Sequence, residues 1–207
     1  MKLWLDDREI TVPTDDLDTA LKAARDAAQQ AGRVIIEAEW DGQSIPDSML
    51  ENPPKTPSGK GEIRFTSANP RALVSTTLHE ISDVLSKLGI LQQETADSLQ
   101  AGRMDEAFEA LGEVFSTWET VRRAVEEGPA LLGISVSELN APATPAGPSE
   151  PLVTHIGALT DLLGDTRSAL QNEDWSTLAD LLADELRVQA DRWGVILRSL
   201  AEQIDRR

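Results

Sequence analysis

Two rhythms of apolar residues divide the chain. Over the first 68 residues they alternate or cluster briefly; from Pro70 onward they recur every three or four residues, as on one face of an α-helix. Near the N-terminus Leu3 and Leu5 share one side of a short strand, with Lys2, Trp4 and Asp6 on the other. Asp7-Arg8-Glu9 reads as a polar turn and Ile10-Thr11-Val12 as the returning strand. Pro13-Thr14-Asp15-Asp16 opens a helix, with Thr14 or Asp15 placed to cap free N–H groups. Its narrow stripe of Leu17, Ala20, Leu21, Ala24, Ala28 and Ala31 suits close packing on a sheet, and Gly32 stops it. Val34, Ile36, Ala38 and Trp40 then alternate with Ile35, Glu37, Glu39 and Asp41 in the clearest strand of the chain. Asp41-Gly42 is a hairpin turn, Gln43-Ser44-Ile45 a short return strand, and Asp47 to Glu51 one helical turn. Asn52 to Gly61, rich in Pro and Gly, is loop, and Ile63 and Phe65 mark a last strand.

The helical part begins at Asn69-Pro70, with Pro at the first helical position. Leu73, Leu78, Ile81, Leu85, Leu88, Leu91 and Leu99 define a long helix to about Gln100, with Gly89 inside it. After Ala101-Gly102-Arg103 a second helix, about Asp105 to Glu127, presents Phe108, Leu111, Phe115, Trp118, Val121 and Val125, and Gly128-Pro129 is expected to end it. A Pro/Ala/Gly linker occupies about residues 135–150. A third helix carries Leu152, Ile156, Leu159, Leu163 and Leu170. A fourth, from Trp175 to about Ile204, carries Leu178, Leu182, Leu186, Trp193, Ile196, Leu197 and Leu200. The two hairpins echo each other. Leu99-Gln100 followed by Met104, Ala107, Leu111 and Phe115 recurs, 71 residues on, as Leu170-Gln171 followed by Trp175, Leu178, Leu182 and Leu186. At this offset Trp118 meets Gln189 and Arg122 meets Trp193, so the echo fades along the second helix of each pair.

The N-terminal order of strand, strand, helix, strand, short strand, strand resembles the ubiquitin-like β-grasp over about residues 1–67. That resemblance implies a docking or structural domain. Modifier chemistry would need a terminal Gly-Gly, whereas here Ser67-Ala68-Asn69-Pro70 runs on into helices. The turn sequence Leu99-Gln100-Ala101-Gly102-Arg103-Met104-Asp105-Glu106-Ala107 is similar to the interhelical turn of flagellar export chaperones, which implies a chaperone or export adaptor as a variant.

Composition narrows the chemistry. The formal net charge is −17, with 8 basic and 13 acidic residues up to residue 68 and 11 and 23 beyond it. Such a chain is poorly matched to nucleic acid or to anionic membrane surfaces, and the spread of acid suits a solubility role and ordinary bacterial surface chemistry. Cysteine is absent, which excludes disulfides and thiolate chemistry. Met1-Lys2-Leu3-Trp4-Leu5-Asp6-Asp7 has acids where a signal peptide needs its apolar run, so a cytoplasmic location is expected.

No catalytic, cofactor or metal set emerges. His79 and His155 read as surface or helix-end residues: di-metal bundles place Glu three residues before such a His, and those positions hold Thr76 and Leu152. Glu109 with Glu113, and Asp180 with Asp184, share helix faces but lie off the apolar stripes, so they read as solvated. Pro57-Ser58-Gly59-Lys60-Gly61 lacks the leading Gly and the Ser or Thr of a phosphate loop. Trp40, Trp118, Trp175 and Trp193 fall on or beside apolar faces, whereas Trp4 points to the opposite face of its sheet and is the candidate interface residue.

The expectation is therefore an α+β chain: a β-grasp-type domain at 1–68, then an antiparallel four-helix bundle of duplicated hairpins at 69–207. The expected function is a non-enzymatic protein-interaction or scaffold module that binds an unknown protein partner or itself. The alternative is a small-ligand or metal-binding bundle.

Overall fold

The structure is a computed structural model that describes residues 2–11, 16–51, 61–143 and 148–206. It is α+β and mostly helical, with a small mixed sheet at the N-terminus followed by several helices. The chain forms two compact units, Met1–Leu73 and Val74–Arg207, and each has its own apolar core.

The first unit contains β1 (Lys2–Leu5), β2 (Arg8–Ile10), α1 (Leu17–Gln30), β3 (Val34–Trp40), β4 (Gln43–Ser44), the short helix α2 (Asp47–Glu51) and β5 (Glu62–Ala68). The strand order is β2-β1-β5-β3-β4, with β1 and β5 parallel and the other pairs antiparallel. Leu17, Ala20, Leu21 and Ala24 of α1 bury against Leu3, Ala38, Ile63 and Phe65. The small alanines bring the helix close to the sheet. The expected caps Thr14 and Asp15 lie outside the described residues; Asp16 caps the helix, its Oδ1 accepting from Thr19 N–H at 2.8 Å. The α1 stop is the expected one, with Gly32 at φ 65°. Asp41 and Gly42 both take positive φ, as a two-residue hairpin turn requires.

Two local expectations are corrected. The first turn is Asp6-Asp7, with Asp6 at φ 46°, and Arg8 and Glu9 already belong to β2. In β3 a bulge between Ile35 and Glu37 breaks the alternation, so Ile35 packs with Ala38 and Trp40 while Ile36 is 50% exposed. The loop expected at Asn52 to Gly61 lies almost wholly outside the described residues.

Helix α3 (Pro70–Gln100) leads into the second unit. There follow α4 (Met104–Leu131), a 3₁₀ turn (Val136–Glu138), β6 (Asn140–Ala141), β7 (Glu150–Pro151), α5 (Leu152–Gln171), α6 (Trp175–Asp180), a π-helical segment (Leu181–Leu186) and α7 (Arg187–Asp205). Gly128-Pro129 does not end α4. Pro129 sits buried in the last turn, where its missing N–H removes a single bond, and the helix stops at Gly133 with φ 69°. Gly128 is needed for packing, because a Cβ there would lie 3.0 Å from Val74 Cγ1. Within the expected linker at 135–150, β6 and β7 pair, and Leu152 N–H bonds the Leu139 carbonyl beside them.

The internal echo is sharper in three dimensions than in sequence. Ile81, Leu85, Leu88, Leu91, Thr95 and Leu99 precede Leu152, Ile156, Leu159, Leu162, Thr166 and Leu170 by 71 residues, and all twelve are buried in or packed against the core. Thr95 and Thr166 each donate Oγ1–H to the carbonyl four residues back. Both turns close alike: Arg103 N–H bonds Ser98 O and Asp174 N–H bonds Ala169 O, at 2.9 Å each, with Gly102 and Glu173 at positive φ. The π segment then shifts the offset to 72. Beyond it, Val114, Trp118, Val121 and Val125 correspond to Leu186, Ala190, Trp193 and Leu197, every one of them buried. A π turn is one residue inserted into an α-helix. This insertion is why Trp118 and Arg122 find unlike partners at a fixed offset of 71.

Candidate interaction surfaces

Trp4 stands on the face of the first unit's sheet opposite α1, between Glu9 of β2 and Arg64 of β5. The Arg64 guanidinium carbon lies 5.4 Å from the indole centroid and Arg64 also pairs with Glu62. The ring is thus half-covered from within its own sheet, and its Nε1–H has no hydrogen-bond partner.

At one end of that sheet a polar lock joins three elements. Asp6 accepts from Ser67 N–H and Oγ–H at 2.7 Å each, while Arg33 donates from Nε to Ser67 Oγ at 2.7 Å and from Nη2 to the Ser67 carbonyl. The Ser67 hydroxyl and N–H hold the Asp6 carboxyl below its usual range, and Arg33 and Arg8 add to the effect against the opposing pull of burial. The adjoining groove, about 720 Å³, runs between β2 and the end of α1.

In the second unit the buried polar side chains are engaged internally. With its amide oriented by its neighbours, Gln92 Oε1 accepts from Trp118 Nε1–H at 2.9 Å and its Nε2–H donates to the Leu186 carbonyl at 3.3 Å, at the end of the π segment. Ser82 Oγ–H donates to the Gly194 carbonyl at 3.0 Å and accepts from Arg198 Nε–H at 2.8 Å. Ser75 donates to Asp205. Trp193 is the exception: its buried Nε1–H has no partner.

His155 is buried at the start of α5, so the expected helix-end position holds but the surface reading does not. Its Nε2 lies 3.5 Å from Glu150 Oε2, which is 3.9 Å from Arg192 Nη2. Burial, with Arg192, lowers its pKa below the ordinary 6.5, and Glu150 only partly offsets this. His79 is exposed, as are Glu109, Glu113, Asp180 and Asp184.

One expected core residue is outside. Phe108 is 46% exposed and meets Trp175 edge-on, with centroids 5.7 Å apart at 66°. Ala107, Leu111, Val114 and Trp118 form the inward stripe in its place. Sequence reasoning also passed over Gln92, although a lone amide in the run Leu85, Leu88, Gln92, Ala96, Leu99 was its visible signal. Among the described residues, no group of three or more His, Asp or Glu is placed to hold a metal ion, and no helix is long and apolar enough to cross a membrane.

Residues 76–194 match the family described as a domain of unknown function (DUF8042). The match spans more than half of the chain, and the chain belongs to this family. It runs from the second turn of α3 to Gly194 in α7, and so takes in most of both helical hairpins but none of the five-stranded sheet. No curated protein and no solved structure matches the chain.

Proposed function

We propose that this chain is a non-enzymatic protein-interaction module, acting in the cytoplasm, built from a β-grasp-type domain and an antiparallel four-helix bundle of two duplicated hairpins. The shared offset of 71, the matching turns and the buried Thr95–Thr166 pair support the duplication. The strand order with its central parallel β1–β5 pair supports the β-grasp reading.

The observation that carries the function is what the inner polar groups do. Gln92, Thr95, Thr166, Ser82 and Ser75 all bond groups of the same unit, so the interior is organised for packing. A small-ligand or metal-binding bundle needs such groups turned toward a shared cavity. Recognition then falls to the surface, where Trp4 and the Phe108–Trp175 pair offer the aromatic anchors that interfaces favour. The turn at Leu99 to Ala107 keeps an export or chaperone adaptor within this reading.

Affinity purification from the source cell at low salt, with mass spectrometry of co-eluting proteins, tests the proposal alongside sedimentation of the pure chain. The expected result is a stoichiometric partner or a self-associated species. A monomer that elutes alone, with a bound small molecule or metal, overturns it.

A further inference from the structure

We propose that the Phe108–Trp175 pair and the carboxylates around it form a docking site for a basic amphipathic helical segment of a partner protein. This deepens the interaction reading and rests on it. The edge-on contact joins the second turn of α4 to the first residue of α6. Phe108 leaves 46% of its surface in water, with Met104 one turn before it on the same helix. Met104 and Trp175 are half-buried against the core, so Phe108 is the ring the surface presents, and an exposed aromatic is of the composition that interface centres favour.

The charge around them selects the occupant. Residues 104–121, which carry Phe108, hold five carboxylates and no Lys or Arg; residues 168–186, which carry Trp175, also hold five and none. The flanking Arg103 and Arg122 are tied to Glu106 and Ser98 and to Glu119, so Asp105, Glu109 and Glu113 carry the charge of the first stretch nearest Phe108. Asp105, Glu109 and Glu113 of the first stretch and Glu173, Asp174, Asp180 and Asp184 of the second are all exposed, so both helices that meet at the ring pair present carboxylates to solvent. A second copy of this chain would bring the same sign of charge to the patch, and nucleic acid would be repelled. A helix with apolar side chains on one face and Lys or Arg on its flanks answers both features.

The test uses the full chain and three synthetic peptides: an amphipathic Leu/Lys helix, its scrambled isomer, and a Leu/Glu analogue. Calorimetry and amide chemical shifts read the outcome. The Leu/Lys helix is expected to bind, with shifts centred on Phe108 and Trp175. Phe108→Ser should weaken binding roughly tenfold, and Glu109→Lys should weaken it without touching an apolar contact. Glu9→Gln, Glu37→Gln and Glu39→Gln, which remove charge from the first unit's sheet, should leave affinity within about twofold. Equal binding of the scrambled peptide, equal loss from the sheet variants, or no effect of either patch substitution overturns the site. If a natural partner binds elsewhere while all three peptides fail, the docking site is refuted and the interaction reading survives.

Discussion

Gln92 shows how one side chain ties separate helices together. Its amide joins the Trp118 indole on α4 to the Leu186 carbonyl at the end of the π segment, inside an otherwise apolar core. Gln92→Leu keeps the volume but orphans both groups. We expect a loss of about 1–3 kcal/mol for each group left unpaired, read by denaturant unfolding. Adding Trp118→Phe should recover part of it, since the orphaned N–H is then gone. His155 gives a pH dependence with a definite sign. Because its folded pKa lies below 6.5, the unfolded chain takes up the proton first. The histidine's contribution is whole above pH 6.5 and is lost as pH falls through the folded value. Thermal melts of His155→Gln should lose this part of the acid slope. An unchanged slope would show that the carboxylates alone set it.

At the scale of elements, the two interhelical turns offer an internal comparison. Gly102 takes positive φ at no steric penalty, whereas Glu173 holds the equivalent place with a side chain. Glu173→Gly should therefore raise stability by about 1 kcal/mol, checked by the unfolding midpoint. The π segment makes a sharper prediction. If it is a single inserted residue, deleting the exposed Asp184 restores α-helix and leaves Trp193 and Leu197 facing the core, so the protein should still unfold cooperatively. Deleting Ala110 from regular α4 turns every later residue by about 100° and should abolish that cooperativity. These elements also mark what was legible in the sequence. Periodicity located the end of α3, and the stripe of α1 matched its buried face from Leu17 to Ala28, because burial there follows helical spacing; Ala31, the last of the expected stripe, is the exposed cap beyond the helix. What escaped were departures from ideal period. The β3 bulge exchanged Ile35 for Ile36, and the π turn moved the repeat by one. Pro129 removes one backbone bond near the end of α4, and the helix continues two residues past it. Phe108 was misplaced for a related reason, while Trp175 lies against the core as its position beside the apolar stripe implied. Phe108 borders the inward stripe in sequence, and only the approach of α6 shows that Ala107 takes the inner place.

For the whole molecule, charge is the dominant surface property, at 36 acidic against 19 basic residues. Several of the described ion pairs, such as Arg122 with Glu119 and Glu126 and Arg123 with Glu127, lie exposed on single helices, where salt screens them. Exposed pairs of this kind contribute little, against the mutual repulsion of a net charge of −17. Repulsion should win. Raising NaCl from about 20 mM to about 500 mM shortens the Debye length from roughly 20 Å to under 5 Å and should raise the melting temperature. A fall would mean that the helix-surface pairs outweigh the net field. A basic partner docked at Phe108 and Trp175 should respond the other way, its affinity dropping over the same range as attraction is screened. The opposite signs separate two effects that a single-salt measurement confuses. A partner lost at high salt while the melting temperature rises has been lost through weakened attraction, with the fold of this chain intact.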